Sequence, residues 1–194
     1  MHERLIDYIS SQVSQPLTSD EIEVLRQYFI PKKLRRHQFF LQEGDVSKAA
    51  GFVAKGALKQ YSVDENGKEN VLALYLENWW AGDRESFMQG TPSPFFIEAV
   101  EESTLLVITK DAYPQVLERL RFLPDLLRTL SEKQSLQLLK RVHASHTMTA
   151  EQRLAALEKQ YPAFLQRFPQ HTIASYLGMT KETLSRIRSG SARK

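Results

Sequence analysis

The side chains best suited to chemistry lie near the end of the chain, in residues 171–188, and that chemistry is hydrogen bonding to another molecule. Arginine can donate two hydrogen bonds to guanine, and glutamate can accept one from the cytosine amino group. Hydroxyl and guanidinium groups also reach phosphate oxygens. Helical spacing places Lys181, Glu182, Ser185, Arg186 and Arg188 on one outer face, and these residue types suit the reading of base edges. Phosphate contacts are expected from Thr172, Thr180, Thr183 and Arg188.

Two short helices and a tight turn are needed to present these side chains. Apolar faces for the two helices are supplied by Ile173, Ala174, Leu177, Leu184 and Ile187. Gly178 can take the positive φ that ends the first helix, and Thr180 is placed to cap the second. Met179 would fill the angle between them. This is the pattern of a helix-turn-helix whose second helix enters a DNA major groove. An ordinary helical hairpin with a charged outer face is the alternative.

The distribution of charge agrees with a polyanionic partner for this end of the chain. The net charge is +3, yet residues 139–194 hold 10 Lys or Arg against 3 Asp or Glu, and the other 138 residues are net −4. A basic module of this kind can meet nucleic acid, although a solvated basic tail is the alternative. The absence of cysteine excludes disulfides, thiolate metal sites and a cysteine nucleophile. With no apolar run of roughly 20 residues and no signal-peptide core, we expect a cytoplasmic protein.

Upstream, the pattern changes from helices to strands. Residues 3–13 and 18–29 read as helices, the second opened by a capping box in which Glu21 follows Thr18 by three positions. Short strands then fill residues 32–109. Asn66-Gly67 predicts a hairpin turn in which both residues take positive φ. Closely spaced strands and turns predict a small sandwich or barrel.

A long helix is predicted over residues 124–146, opened by Pro124 in its first turn. Its apolar stripe is formed by Leu123, Leu126, Leu127, Leu130, Leu138, Leu139 and Val142. Such a stripe suits self-association in a two-fold dimer, and packing back onto the barrel is the alternative. A hinge is expected at 143–148, with Thr149 or Thr147 capping the next helix over 150–160.

The order of these elements resembles the Crp/Fnr superfamily of regulators over nearly the whole chain. The most specific match is IASYLGMTKETLSRIRS at 173–189, which is similar to a Bacteroidetes-type branch. By this likeness Lys181, Glu182 and Arg186 match the family's base-reading positions, and Thr172, Thr180 and Thr183 match its phosphate-contacting positions. The segments LQEGD at 41–45 and GFVAKG at 51–56 resemble the family's first barrel turns. The resemblance implies an α+β fold: an N-terminal antiparallel β-barrel of the double-stranded β-helix or jelly-roll type with flanking helices, a long dimerisation helix and an all-helical helix-turn-helix domain. The corresponding domains are a cyclic-nucleotide-binding-like sensor (1–123), the dimerisation helix and hinge (124–146) and the DNA-binding domain (147–194).

The ligand pocket that the resemblance implies departs from the family's pattern. Cyclic-nucleotide binders have a Gly-Glu pair opening a short helix and, about ten residues later, an Arg-Ser pair on the cyclic phosphate. Here the pocket would comprise Gly82, Asp83, Arg84, Glu85, Ser86, Ser93 and Pro94. A buried phosphate needs a cation or N–H donors to compensate for its lost hydration, and Ser93-Pro94 offers no cation and, at the proline, no N–H. We therefore expect no tight binding of cyclic AMP and no cofactor, while another small-molecule effector stays open. Two interpretations stay open for a group of nearby aromatic residues, which would either line the ligand pocket or belong to the core of the barrel. These residues are Trp79, Trp80, Phe87, Phe95 and Phe96.

Other function classes are less well supported. A cupin-like metalloenzyme needs several barrel histidines, and only His37 falls in the strand region. His143 and His146 favour a solvated helix end over a metal site. A small-molecule-sensing module that acts through protein contacts is the remaining alternative. The expected partners are an inverted-repeat DNA duplex, a second copy of the chain and RNA polymerase. The tail after 188 is too short for a β wing, so Arg193 and Lys194 are expected to contact the DNA backbone instead.

Overall fold

The computed structural model describes residues 1–191; the tail contacts predicted for Arg193 and Lys194 lie outside the described residues. Helices at the start are α1 (His2–Gln12) and α2 (Ser19–Tyr28). The strands are β1 (Ile30–Leu34), β2 (Phe39–Leu41), β3 (Ala49–Lys55), β4 (Leu58–Val63), β5 (Glu69–Tyr75), β6 (Trp80–Ala81), β7 (Phe96–Ala99) and β8 (Ser103–Thr109). The remaining helices are α3 (Arg84–Gln89), α4 (Tyr113–Arg119), α5 (Leu123–Thr147), α6 (Ala150–Gln160), α7 (Phe164–Arg167), α8 (Gln170–Tyr176) and α9 (Lys181–Ser191). Among the described residues, no helix is long and apolar enough to cross a membrane.

The chain divides into two compact units. The first unit contains residues 1–62 and 73–130, and the second contains residues 63–72 together with 131 onward. The tip of the β4–β5 hairpin therefore belongs with the C-terminal helices, and the division falls inside α5. The domain limits predicted at 123/124 and 146/147 fall instead near the two ends of that helix.

Two antiparallel four-stranded sheets form the β region, with strand orders β1-β8-β3-β6 and β2-β7-β4-β5. In the first unit, apolar side chains that alternate along the strands meet between the sheets, among them Val53, Leu58, Ile97 and Leu105. A second cluster packs α1, α2, α4 and the start of α5 onto the outer face of β3 and β8, around Phe29, Phe52 and Leu106. The predicted fold class is confirmed by this arrangement.

Local end and turn patterns account for several element boundaries. Thr18 and Glu21 form the predicted capping box of α2, and Thr149, rather than Thr147, caps α6 in a box with Gln152. Residues 143–147 of the predicted hinge form the end of α5. Only Met148 and Thr149 therefore separate α5 from α6.

The turn predicted at Asn66-Gly67 forms, but its conformation differs from the prediction. Gly67 has φ 77°, whereas Asn66 is not among the described residues with positive φ. The side chain of Asp64 accepts hydrogen bonds from the N–H groups of Asn66 and Lys68, and its carbonyl accepts from Gly67. Because one carboxylate organises the loop, a longer turn replaces the two-residue one.

The apolar stripe of α5 divides into two parts. Leu123 and Leu126 are buried, and Leu127 and Leu130 pack against the cluster of the first unit, so this half follows the alternative of packing onto the barrel. The other half is exposed, with solvent-accessible fractions of 57% for Leu136, 54% for Leu138, 65% for Leu139 and 46% for Val142. The prediction omitted Leu136, which belongs to this exposed part.

Candidate nucleic-acid interface

The turn between α8 and α9 has the backbone conformation and the helix cap that its local sequence predicts. The chain leaves α8 through Leu177 and Gly178, and Gly178 has φ 65°, as predicted. Its N–H donates to the carbonyl of Ser175, and that of Met179 donates to the carbonyl of Ala174. Thr180 then accepts a hydrogen bond of 3.2 Å from the N–H of Thr183, which caps α9. The turn is therefore fixed by its own backbone and one hydroxyl.

A small core holds the two helices. Buried members from α8 and α9 are Ile173, Ala174, Leu177, Leu184 and Ile187, and those from the preceding elements are Leu154, Leu157, Phe164 and Phe168. Phe164 is at the centre, with its ring stacked on Tyr161 and edge-on to Phe168. This core leaves one face of α9 without apolar neighbours, which makes that face available to another molecule.

The predicted base-reading residues all lie on the open face of α9. Lys181, Glu182, Ser185 and Arg186 are exposed. The backbone N–H of Glu182 and the hydroxyl of Thr180 hold the pKa of the Glu182 carboxyl below its ordinary value. At neutral pH the face therefore presents a hydrogen-bond acceptor between cationic donors.

Arg186 also influences the helix beside α9. The backbone N–H of Glu151, then the hydroxyl of Thr149, and lastly the charge of Arg186 lower the pKa of the Glu151 carboxyl on α6. The guanidinium of Arg186 therefore lies in the field of an anion while its own side chain stays exposed.

The four predicted phosphate-contacting residues do not share one environment. Thr180 and Arg188 are exposed and Thr183 is half-buried. Thr172 is only 1% exposed. Because its side chain is enclosed at the start of α8, the expectation that its hydroxyl faces a phosphate is not supported, and we leave Thr172 out of the interface.

The predicted ligand pocket forms a closed network instead of an open cradle. Asp83 caps α3 by accepting from the N–H groups of Glu85 and Ser86. Its other oxygen accepts a 2.7 Å hydrogen bond from the hydroxyl of Ser93. Ser86 in turn accepts from the N–H of Ser47 and donates to the carbonyl of Thr91. Asp83, Ser86 and Ser93 are thus brought together and buried.

The other pocket residues do not converge on that network. Arg84, Glu85 and Pro94 are exposed, and Gly82 has an extended backbone with φ 158°. The aromatics proposed for the pocket also separate. Trp80 packs on Phe29 and Phe52, Phe87 on Tyr113, and Phe96 on Phe39 and Tyr61. Trp80 and Phe87 follow the plain-core interpretation.

Comparison with known proteins decides the family. A family model described as a cyclic nucleotide-binding domain matches residues 31–120. The anaerobic regulatory protein of Haemophilus influenzae is 27% identical over 198 residues, which cover 91% of this chain and 74% of that protein. The nitrogen fixation regulation protein FixK of Rhizobium meliloti is 30% identical over 152 residues, which cover 75% of this chain and 67% of that protein. The chain belongs to the Crp/Fnr superfamily of transcription regulators.

The fold of this Crp/Fnr protein is also that of a solved relative. The structure of FixK2 from Bradyrhizobium japonicum matches with a TM-score of 0.72 at 16% identity, over 84% of this chain and 83% of that chain. The relatives are named as regulatory proteins, so the chain is a regulator and not an enzyme, and the cupin-like alternative is set aside. No group of three or more potential metal ligands occurs among the residues that the structure describes. The narrower Bacteroidetes-type assignment stays a prediction.

Sequence reasoning missed two residues of this Crp/Fnr regulator that organise the second unit. Ser175 and Arg141 hydrogen-bond to the backbone of residues 69–72. Ser175 and Val71 are 104 positions apart. Ser175 lies on α8 and Arg141 on α5, and neither residue belongs to a sequence pattern that predicts contact with a distant strand. No local feature of the sequence could therefore have identified these two contacts.

Proposed function

We propose that this Crp/Fnr regulator binds DNA sequence-specifically as a homodimer and reads an inverted-repeat operator with α9. The observation that carries the proposal is the exposed face of α9, where Lys181, Glu182, Ser185 and Arg186 stand above a helix anchored by buried Leu184 and Ile187. Arginine and lysine pair with guanine and glutamate with cytosine, so this face has the chemistry for direct readout in a major groove.

Contacts to the sugar–phosphate backbone would come from the exposed hydroxyl of Thr180, the half-buried Thr183 and the guanidinium of Arg188. The start of α9 adds backbone N–H groups and a favourable dipole for phosphate. In helix-turn-helix dimers the two recognition helices are spaced by one DNA turn, roughly 34 Å. The operator would therefore have two half-sites related by two-fold symmetry.

The second half of α5 supports the dimer. Leu136, Leu139 and Val142 lie at helical spacing, and each is 46% or more exposed. Contiguous exposed leucine and valine on a long helix favour a second copy of the same helix, because pairing removes apolar surface from water on both chains. The dimer axis of the proposed regulator would run along this face.

We also propose that no cofactor is needed and that cyclic AMP is not the effector. Asp83 already uses both oxygens within the chain, on two N–H groups and on Ser93. Pro94 has no N–H to offer a phosphate. Isothermal titration calorimetry of the purified protein with cyclic AMP should detect no binding in the low micromolar range. Sub-micromolar binding would overturn this part of the proposal.

The partner that responds to the bound regulator would be RNA polymerase, in the cytoplasm, as the assignment to transcription regulators implies. The test is run-off transcription from a template that carries the selected operator. Addition of the protein should change the transcript level, and an Arg186→Ala variant should need about 10–100 times more protein for the same change.

The operator sequence can be identified by in vitro selection of bound duplexes from a randomised library. The expected product is an inverted repeat, bound with strong salt dependence. A dimer that neutralises roughly 6–10 phosphates should lose about 10³–10⁵ in affinity between 50 and 200 mM salt. Failure to enrich any sequence, together with affinity that does not change with salt, would reject DNA binding in favour of a module that acts through protein contacts.

A further inference from the structure

Within the second unit, Ser175 ties the first helix of the helix-turn-helix to residues 69–71. Its hydroxyl donates to the carbonyl of Glu69 at 2.9 Å and accepts from the N–H of Val71 at 2.9 Å. Both backbone groups belong to β5, the outermost strand in the order β2-β7-β4-β5. Residues two apart in a strand point their N–H and C=O groups to the same side, so one hydroxyl can serve both. The Ser175 hydroxyl thus joins α8 to two backbone groups of residues 69–71.

Arg141 adds a second attachment from α5. One of its guanidinium nitrogens donates to the carbonyl of Leu72 at 2.6 Å. The guanidinium also lies 4.6 Å from the centre of the Tyr176 ring, close enough for a cation–π interaction. Since Tyr176 follows Ser175 directly, α5 and α8 hold the hairpin tip at adjacent points.

This attachment leaves the base-reading face free. Ser175 is half-buried at its contact, while Lys181 and Arg186 on α9 stay exposed. Helix α9 is joined to α8 by the short turn through Gly178 and shares its apolar core. Fixing α8 on the hairpin therefore fixes the orientation of α9 without covering it.

We infer that Ser175 and Arg141 are positioning residues for DNA reading, which hold the helix-turn-helix on residues 63–72 before DNA arrives. The inference rests on the proposed function. Preorganisation raises affinity because fewer groups lose freedom on binding. Loss of this preorganisation should lower the affinities for operator and non-operator DNA by the same factor. The reason is that the contacts between α9 and the bases are the same once α9 is in the groove. A factor of about ten is expected for Ser175→Ala, equivalent to about 1.4 kcal/mol.

The test uses the full chain with two duplexes of equal length, the selected inverted repeat and a shuffled version of it. Ser175→Ala should weaken both affinities about tenfold and leave their ratio unchanged. Amide hydrogen exchange at residues 69–72 should rise in the same variant. Ser175→Thr keeps a hydroxyl and should restore both readouts. Ser145→Ala is the matched control, because the Ser145 hydroxyl bonds only within α5, to the carbonyl of Val142.

Three outcomes would overturn the inference. Unchanged exchange at residues 69–72 would mean that the contact does not persist in solution. Faster exchange with unchanged DNA affinity would make the contact structural only. A fall in the operator-to-shuffled ratio would mean that Ser175 touches DNA itself. If Ser175→Ala does not fold, Arg141→Ala carries the same test with the same expectations. A wild-type chain that binds neither duplex rejects the proposed function, whereas wild-type binding matched by both variants rejects this inference alone.

Discussion

The hydroxyl of Ser93 donates a 2.7 Å hydrogen bond to one carboxylate oxygen of Asp83, and both side chains are almost completely buried. The other oxygen caps α3. The family resemblance of the sequence predicts a ligand pocket at these residues. Here the chain itself pairs the polar groups of Asp83 and Ser93, which supports the proposal that cyclic AMP is not the effector.

The Asp83–Ser93 pair should contribute substantially to the stability of the first unit. Asp83→Ala removes the cap and leaves the buried Ser93 hydroxyl with only its weak 3.4 Å contact to the carbonyl of Phe95, so we expect a loss of about 2–3 kcal/mol in the free energy of unfolding. Both tryptophans of the chain, Trp79 and Trp80, lie in this unit, so tryptophan fluorescence in a urea titration reports on it. Glu85→Ala, an exposed neighbour on α3, is the control and should stay within about 0.5 kcal/mol of wild type. Equal effects from the two variants would contradict the prediction.

Acid should destabilise the first unit through Glu98. Burial acts to raise the pKa of this carboxyl, but the hydrogen bond with His37, the charge of Lys59 and the hydroxyl of Tyr61 outweigh burial and lower it. The atoms lie close, with Lys59 Nζ 3.4 Å and the Tyr61 hydroxyl 3.0 Å from the carboxylate. A carboxyl whose pKa is lower in the folded state contributes stability above its unfolded pKa and loses it as pH falls through the folded pKa.

The measurement is the urea-unfolding free energy of wild type and Glu98→Gln between about pH 6 and 3. The wild-type value should fall more steeply with acid than that of the variant. Tyr61→Phe removes one of the hydrogen bonds and should give an intermediate dependence. Parallel curves for wild type and Glu98→Gln would show that Glu98 does not cause the acid sensitivity.

Self-association should depend on the exposed half of α5. Leu139 is 65% exposed, and Leu139→Glu would place a charge in the proposed helix pair, where its desolvation is unfavourable. Analytical ultracentrifugation should give twice the chain mass of 22.4 kDa for wild type and the chain mass for the variant. Met88→Glu, on a 53% exposed residue of the first unit, should remain dimeric. A dimer that survives Leu139→Glu would place the interface elsewhere.

Base discrimination should depend on Arg186. Arg186→Ala should lose about 1–3 kcal/mol of binding to the selected operator, because a bidentate contact to guanine is removed. Fluorescence anisotropy with the operator and a shuffled duplex gives both affinities. Arg121→Ala removes the same charge from an exposed site in the first unit and should leave operator preference unchanged. An Arg186→Ala variant with intact preference would show that another residue reads the base.

The parts of the fold that sequence could predict are those decided within a few residues. The cap at Thr180 and the positive φ of Gly178 follow from local hydrogen bonding and sterics, and both were predicted. The turn at Asn66-Gly67 was assigned the wrong conformation because the Asp64 side chain competes for the same backbone groups.

The sequence predicts the parts of the candidate site whose exposure follows from side-chain type and helical spacing. It does not predict the parts whose environment depends on packing against distant residues. The exposed face of α9 follows from helical periodicity. Thr172 is enclosed and Ser175 pairs with β5, although both are polar residues on α8. No pattern on α8 distinguishes the two, because their partners come from other parts of the chain. For the same reason the stripe of α5 could not reveal that its first half packs inward and its second half stays exposed.

The most direct test of sequence-specific DNA binding is the ratio of affinities for the selected inverted repeat and a shuffled duplex of equal length, at physiological salt. The account predicts a ratio of about 10³ or more in favour of the inverted repeat, as for specific regulators in general. A ratio near one would contradict it, since α9 would then contact DNA without reading it.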